Sequence, residues 1–227
     1  MKQFVSTRRG PISSNFAEGG GFLKTTPELE APDLQLHFGI TAIDDHGRKL
    51  HLGGGYSCHA SLLRPKSRGS VRLADTNPTS APIIDPNFLG DPEDMENMVA
   101  CFKLTRRLMD APSLRNMRTG DMFTANVHTD DDIRKILRER VDTVYHPVGT
   151  CKMGVNDELA VVDPRLKVYG LEGIRIVDAS IMPVAPGGNT NAPTIMIAEK
   201  ASDMIREDWK RNRATAASKR QLVEVAT

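Results

Sequence analysis

The sequence predicts an α+β fold in which an antiparallel sheet is flanked by helices. Before Asp91, short apolar or alternating runs are separated by glycines and prolines, which is typical of strands and turns. From Asp91 onward, apolar residues recur at helical spacing instead. Near the C-terminus, a proline stands in the first turn of a further apolar helix. Because no long helix separates the strand-like runs, we expect their sheet to be antiparallel.

The strands are predicted in the first third of the chain. Residues 1–31 are rich in Gly, Pro, Ser and Thr and are expected to form loops, with one short strand at residues 21–23. Further strands are predicted at residues 33–38, 56–63 and 70–73. The run at residues 33–38 alternates apolar and polar residues, which is the pattern of a half-buried strand.

Two helices follow the strands. The first begins after Asp91, with Pro92 and acidic residues in its first turn and arginines in its last, so its charges complement the helix dipole. Its apolar face consists of Met95, Met98, Val99, Phe102 and Met109. Residues 129–132 cap a second helix that runs through Val141. We interpret both helices as structural.

The C-terminal third is predicted to begin with a loop, at residues 146–154. Short strands are expected next, at residues 161–162, 166–168 and 174–177. A helix is predicted over residues 194–205, with Pro193 in its first turn. The charged tail beyond it is expected to continue the helix briefly and then fray into solvent.

Composition excludes several classes of protein. The 30 Lys and Arg residues balance 29 Asp and Glu residues, so the net charge of +1 indicates no nucleic-acid partner. No apolar run approaches the roughly 20 residues of a membrane-spanning helix, and the N-terminus lacks the apolar core of a signal peptide. The three cysteines, Cys58, Cys101 and Cys151, indicate a reducing compartment such as the cytoplasm. No set of residues has the spacing of a metal site.

The stretch from Tyr145 to Ala198 combines several motifs in a fixed order: YHPVGTCKMG, a run ending in Asp-Ala-Ser, and PGGNTNAPTIMIA. It resembles the C-terminal signature of the glucose-methanol-choline (GMC) oxidoreductases, flavoenzymes that oxidise alcohols using FAD. The resemblance continues upstream through SNFAEGGGF, LLRPKSRGSVRL and PIIDPNFLGDPEDM and covers most of residues 13–207. With an asparagine at position 191, the chain resembles the choline- and alkanol-type branch of this family.

One part of the family pattern is missing. The family's dinucleotide fingerprint, G-x-G-x-x-G after a strand, does not occur, because the glycine runs at residues 19–21 and 53–55 have the wrong spacing. We therefore expect the C-terminal half of a larger enzyme, whose FAD-binding N-terminal half lies in a longer chain or in a partner chain. The resemblance implies an N-terminal loop segment, a substrate-binding domain with the catalytic loop, the end of an FAD-binding α/β domain and a charged tail, over residues 1–12, 13–154, 155–207 and 208–227.

Oxidation of an alcohol requires a group that takes the hydroxyl proton and a second group that holds the oxygen. Histidine suits the first role and His or Asn the second. From spacing alone, His146 before a proline is more often structural, and Asn189 and Asn191 are more often turn formers. The resemblance implies instead that His146 is the catalytic base and that Asn191 is its partner, with Asn189 as the rival for the second role.

The predicted cofactor contacts are Asp178, Ala179, Asn189, Ala192 and Thr194. The first two would close a strand beside a crevice, where a small residue lets backbone approach the cofactor. The N-terminus of the helix near Pro193 would place free N–H groups beside the flavin, which gains negative charge on reduction. By resemblance, Ala192 and Thr194 lie there.

The resemblance implies oxidation of a primary alcohol, either choline or an aliphatic or aryl alcohol, to an aldehyde by hydride transfer to FAD. The alternative is an orphan or split-enzyme fragment without activity of its own, and a weaker one is a small-molecule-binding module without flavin. The alcohol and the electron acceptor, oxygen or a quinone, stay open. The full-length enzyme is expected in the cytoplasm, where it could associate with a membrane.

Overall fold

The computed structural model describes residues 2–10, 13–42, 44–45, 49 and 54–225, with the side chains at 2 and 216–225 left out. The chain divides into two compact units, Met1–Val144 and Tyr145–Thr227. The predicted domain boundaries describe the larger enzyme and stay predictions. Within the described residues, none of the helices combines the length and apolar character that crossing a membrane requires.

The first unit contains the predicted antiparallel sheet. Strands β1 (Ala17–Leu23), β2 (Leu34–Gly39) and β3 (Ser57–Leu62) pair antiparallel in the order β1-β2-β3, which confirms the three predicted strands. β1 is longer than predicted, because its glycines are paired with β2 despite their low strand propensity. A helix, α1 (Lys2–Thr7), lies where only loop was expected.

A separate two-stranded ribbon follows the sheet. β4 (Ser70–Arg72) confirms the fourth predicted strand and pairs antiparallel with β5 (Ile83–Asp85). β5 was not predicted, because its three residues lie between Pro82 and Pro86, and prolines so close together indicate a turn.

The helices of the first unit begin as the sequence predicts. In α2 (Pro92–Met109), the side chain of Asp91 accepts a hydrogen bond from the backbone N–H of Glu93. α4 (Asp130–Arg140) begins with a capping box in which Thr129 and Asp132 satisfy each other's backbone N–H groups. A short helix between them, α3 (Pro112–Arg115), was missed.

Two clusters of buried residues hold this unit together. One joins α2 to α4 and contains Met95, Val99, Val127, Ile133 and Leu137. The other packs Leu34 and Leu36 of β2 against Cys101 of α2. Burial raises the pKa of the Cys58 thiol to about 11 and, with an added effect of Asp33, that of Cys101 to about 12. All three cysteines are free, and these two thiols stay protonated and unreactive.

The second unit lacks the short strands that were predicted for it. Residues 153–175 make only isolated bridges, Met153 with Val162, Val162 with Val168, and Lys167 with Arg175. Turns interrupt the pairing: the backbone takes positive φ at Leu166, Gly170 and Gly173, so that no ladder extends beyond one pair. The unit is held instead by a core of Val162, Leu166, Ile181, Met182, Ile197 and Ala201.

The last helix, α5 (Asn191–Val225), is longer at both ends than predicted. It begins three residues before Thr194, and its tail stays helical rather than fraying soon after residue 205. After Pro193 the segment contains neither glycine nor proline, and alanine and charged residues favour the helix. Ile197 and Ala201, one turn apart, face the core.

A cluster of ion pairs connects α5 to the turns that precede it. Asp208 lies 3.0 Å from Lys167 Nζ, 2.5 Å from an Arg175 nitrogen and 2.9 Å from an Arg165 nitrogen. The hydrogen bond from Lys167, opposed by partial burial and supported by the two arginines, lowers the pKa of Asp208 to about 2. The side chain of Asp208 is only 14% exposed, so these contacts are partly shielded from solvent.

Candidate active site

The loop that carries His146 has a constrained backbone. Tyr145, directly before the histidine, has a φ of 62°, a conformation that costs energy for a bulky residue. Gly149 has a φ of 87°, and a Cβ there would stand 3.3 Å from the carbonyl oxygen of Met182. A larger residue at position 149 would therefore disturb the path of the loop.

Backbone hydrogen bonds fix this loop to the segment around Asp178. The N–H of Cys151 donates to the carbonyl of Ser180 at 3.0 Å, and that of Met153 to Ile181 at 2.8 Å. Ser180 and Ile181 belong to a short 3-10 helix, Ala179–Ile181. Two backbone hydrogen bonds thus connect the motif HPVGTCKM to this short helix.

Both ring nitrogens of His146 contact the Asn-Thr-Asn segment. Nδ1 lies 2.9 Å from Oγ1 of Thr190, and Nε2 lies 2.8 Å from Nδ2 of Asn189. With the amide N–H of Asn189 donating, Nε2 is the acceptor and Nδ1 carries the proton that Thr190 accepts. This tautomer, with the lone pair on Nε2, satisfies both contacts of the half-buried ring.

The predicted partner of the histidine, Asn191, is not hydrogen-bonded to it. Asn191 is the first residue of α5 and is exposed, and its side chain makes no hydrogen bond within the described part of the chain. Asn189, the rival for the same role, is the residue that the structure places on the ring of His146.

The start of α5 offers free hydrogen-bond donors. The N–H groups of Asn191 and Ala192 lie in the first turn and have no partner within the helix. Thr194 is directed back at the helix, since its N–H and its hydroxyl both donate to the carbonyl of Thr190, at 3.0 and 2.7 Å. Of the predicted contacts in this turn, the exposed Ala192 leaves the most space for a ligand.

Asp178 and Ala179 do not close a strand, which corrects the prediction. Asp178 caps the 3-10 helix instead, where its Oδ1 accepts from the N–H of Ser180 at 2.7 Å. The reason is local, because the aspartate side chain satisfies backbone N–H groups of the turn that follows. Its second oxygen has no hydrogen-bond partner among the described residues.

One contact residue was missed from the sequence. Thr190 stands between the two candidate asparagines and precedes α5, so it was passed over as part of a turn. The signal that could have found it is Pro193, three residues on, which removes the N–H that a threonine at a helix start usually binds. Within the described ranges, no group of His, Cys, Asp and Glu could hold a metal ion.

Comparison with known proteins identifies the class of protein. The C-terminal family model of the GMC oxidoreductases matches residues 65–198, more than half of the chain. The chain belongs to the GMC oxidoreductase family, which confirms the resemblance in its sequence motifs and the α+β fold class.

Two enzymes and one solved structure are similar to most of this chain. The chain is 50% identical over 203 residues to an alcohol dehydrogenase [acceptor] of Pseudomonas putida, covering 89% of this chain and 37% of the relative. It is 40% identical over 206 residues to an oxygen-dependent choline dehydrogenase of Cronobacter sakazakii, covering 90% and 37%. The crystal structure of pyridoxine 4-oxidase from Mesorbium loti matches with a TM-score of 0.76 and 27% identity, over 83% of this chain and 37% of that one. The chain thus spans little more than a third of the length of these relatives.

Proposed function

We propose that the chain forms the C-terminal part of an FAD-dependent alcohol dehydrogenase or oxidase that converts a primary alcohol to an aldehyde. The observation that carries this proposal is that both ring nitrogens of His146 lie within hydrogen-bond distance of Asn189 and Thr190, directly before the N-terminus of α5. A fixed imidazole with a defined lone pair is what proton removal from a hydroxyl requires.

The residues around His146 fit one end of FAD. Free N–H groups at the start of α5 suit the negative charge of a reduced flavin, and the small side chains of Ala179 and Ala192 allow close approach. The second oxygen of Asp178 can accept a hydrogen bond from a ribityl hydroxyl. When bound, FAD would supply the acceptor for the hydride that leaves the substrate carbon.

His146 would act through Nε2. The amide of Asn189 occupies this atom, so the substrate hydroxyl would take its place as donor and then lose its proton to the imidazole. Asn191 would hold the substrate oxygen, since its amide is exposed and makes no other hydrogen bond in the described structure. Without substrate, the amide of Asn189 would bind His146. Once the substrate hydroxyl has replaced this amide on Nε2, Asn189 would bind the flavin instead.

The substrate class is proposed from the relatives. The names of the two enzymes compared above refer to an alcohol and to choline. We therefore propose a primary alcohol, either choline or an aliphatic or aryl alcohol, and a panel of these compounds separates the choices. The three free cysteines support a reducing compartment such as the cytoplasm.

A second candidate is a polypeptide that has no activity alone. These 227 residues contain no G-x-G-x-x-G motif, so the contacts to the adenine and pyrophosphate of FAD would come from a dinucleotide-binding part in a longer or separate chain. We expect the 227-residue chain by itself to lose added FAD on desalting. A yellow protein with one FAD per chain would contradict this expectation.

A chimera tests the proposed function. The segment of the Pseudomonas putida alcohol dehydrogenase that matches this chain over 203 residues is replaced by the corresponding residues of the chain. We expect a flavin spectrum that is bleached by a primary alcohol and an alcohol-dependent reduction of a dye. A chimera that binds FAD fully but is bleached by no alcohol of the panel, while the parent enzyme is, would contradict the proposal.

A further inference from the structure

The ribbon of β4 and β5 presents an apolar face to solvent. Val71 and Ile84 are cross-strand partners and therefore lie on the same face. Leu73 comes two positions after Val71 and belongs to this face as well, because side chains alternate along a strand. Val71, Ile84 and Leu73 are 49%, 64% and 86% exposed. Among the residues that the structure describes, these three, which we call the ribbon face, belong to neither buried cluster of the first unit.

Polar contacts at its base and in its loop hold the ribbon in place. The backbone N–H groups of Lys66 and Ser67 donate to the two carboxylate oxygens of the buried Asp94 in α2, at 2.8 and 2.7 Å. In the loop between the strands, the hydroxyl of Ser80 donates to Oδ2 of Asp75 at 2.9 Å. Two short strands alone are marginally stable in water. These contacts therefore fix the ribbon while its apolar face stays in solvent.

The size of the ribbon face limits what can cover it. Single exposed apolar side chains are common on protein surfaces, whereas adjacent ones on an ordered element mark a contact surface. Each of the three side chains offers on the order of 100 Å². A specific complex of two proteins buries about 800 Å² on each partner, so this face alone would not hold a second copy of the chain. A part of the same polypeptide needs less area, because its attachment already keeps it close.

The comparisons indicate which part that is. The ribbon lies within residues 65–198, which match the family model, so it belongs to the architecture of the family and is not an insertion. The chain spans 37% of each of the two enzymes compared above, so most of their length lies outside it. In the proposed enzyme, that remainder contains the FAD-binding part.

We propose that the ribbon face is an interface to the FAD-binding part of the enzyme, which covers Val71, Leu73 and Ile84 with apolar residues of its own. The inference rests on the proposed function, in which this chain forms one portion of a longer enzyme. It goes beyond that function because it gives the ribbon a role in holding two parts of the enzyme together. The ribbon supplies no group to the chemistry.

Cysteine labelling measures this covering directly. Leu73→Cys places a thiol on the ribbon face, and Arg72→Cys places one on the opposite face of the same strand, where Arg72 is exposed and pairs with Ile83. The rate of reaction with a neutral maleimide is measured in the 227-residue chain and in the chimera, each relative to the rate in denaturant. Peptide mass spectrometry locates the modified thiol, so the native cysteines do not interfere.

We expect the thiol of Leu73→Cys to react at least about 10-fold more slowly in the chimera than in the 227-residue chain, because an interface must open before it reacts. The thiol of Arg72→Cys should react at similar rates in both. Equal rates for Leu73→Cys in the two proteins would overturn the proposal, and so would equal protection of both thiols. Protection that disappears on dilution would also overturn it, because the occupant would then be a second copy.

The melting temperature gives a second measurement that needs no added thiol. Ile84→Ser should lower the melting temperature of the chimera by a few degrees and leave that of the 227-residue chain nearly unchanged. Leu108→Ser, at an exposed apolar position of α2, is the control and should change neither. Equal shifts for Ile84→Ser in the two proteins would contradict the interface.

The labelling result does not depend on catalysis. A chimera that oxidised no alcohol but protected the thiol of Leu73→Cys would contradict the proposed function and leave the interface standing. A chimera that oxidised alcohol with this thiol unprotected would do the reverse.

Discussion

The amide nitrogen of Asn189 lies 2.8 Å from Nε2 of His146, whereas Asn191 is exposed at the start of α5. The two asparagines are two positions apart in the motif NTN, and sequence spacing alone does not separate their roles. The structure does separate them: one amide is engaged with the base and the other is available to a ligand. This difference leads to the first prediction.

Asn191→Ala in the chimera should lower kcat/KM by about 10²–10³-fold, the usual cost of removing one hydrogen-bond donor to a developing oxyanion. Asn189→Ala should cost less than about 10-fold, because the substrate hydroxyl replaces this amide on His146 in any case. Steady-state kinetics with a primary alcohol measure both. The reverse order of effects would assign the oxygen-holding role to Asn189.

Asp208→Asn should reduce stability in a way that depends on pH. Because the pKa of Asp208 is lowered from 3.8 to about 2 in the folded chain, its ion pairs contribute fully above about pH 4 and are lost as the pH falls towards 2. We expect the melting temperature of Asp208→Asn to lie below that of the unaltered chain at pH 7, with the difference shrinking on acidification.

The control for this prediction lies on the same helix. Asp203 is exposed, and among the residues that the structure describes it pairs with Arg206 alone, at 3.4 Å, so Asp203→Asn should melt close to the unaltered chain at every pH. Equal changes in melting temperature for Asp203→Asn and Asp208→Asn would show that the ion pairs of Asp208 do not stabilise the packing of α5.

Leu166→Ala should destabilise the second unit by about 2–5 kcal/mol, because the substitution leaves a cavity in a packed core. Leu166 is 4% exposed, whereas Leu171, five residues on, is 59% exposed. Leu171→Ala should therefore stay within about 0.5 kcal/mol of the unaltered chain. Urea denaturation followed by circular dichroism compares them, and similar midpoints for the two variants would argue against the core as described.

Thr129→Ala should cost about 1 kcal/mol through loss of the N-cap of α4. The exposed Thr119 makes no hydrogen bond with its side chain in the described structure, so Thr119→Ala serves as the matched control. The same denaturation experiment measures both. Equal stability of the two variants would contradict a capping role for Thr129.

The elements that could be predicted from the sequence are those with local signals. The alternation at residues 33–38 predicted β2, and the Thr-x-x-Asp pattern at residue 129 predicted the start of α4. Both signals act within a few residues, so they do not depend on the rest of the fold.

Other features depend on contacts that no local pattern contains. Residues 161–177 have the apolar character of strands, but turns at Leu166 and Gly170 limit them to single bridges. The meeting of His146 with the NTN segment joins residues more than 40 positions apart and followed only from the family resemblance. The choice between Asn189 and Asn191 on the imidazole, and the use of the Thr190 hydroxyl, required the structure.

The most direct test of the account compares His146→Gln with His128→Gln in the chimera, with alcohol-dependent dye reduction and FAD content as the measurements. His128 is exposed in the first unit, so its variant controls for the loss of a histidine as such. We expect His146→Gln to keep its FAD and to lose about 10²–10⁴-fold in kcat, the range that a positioned proton acceptor contributes. A His146→Gln enzyme that turns over alcohol as fast as His128→Gln would contradict the assignment of His146 as the base.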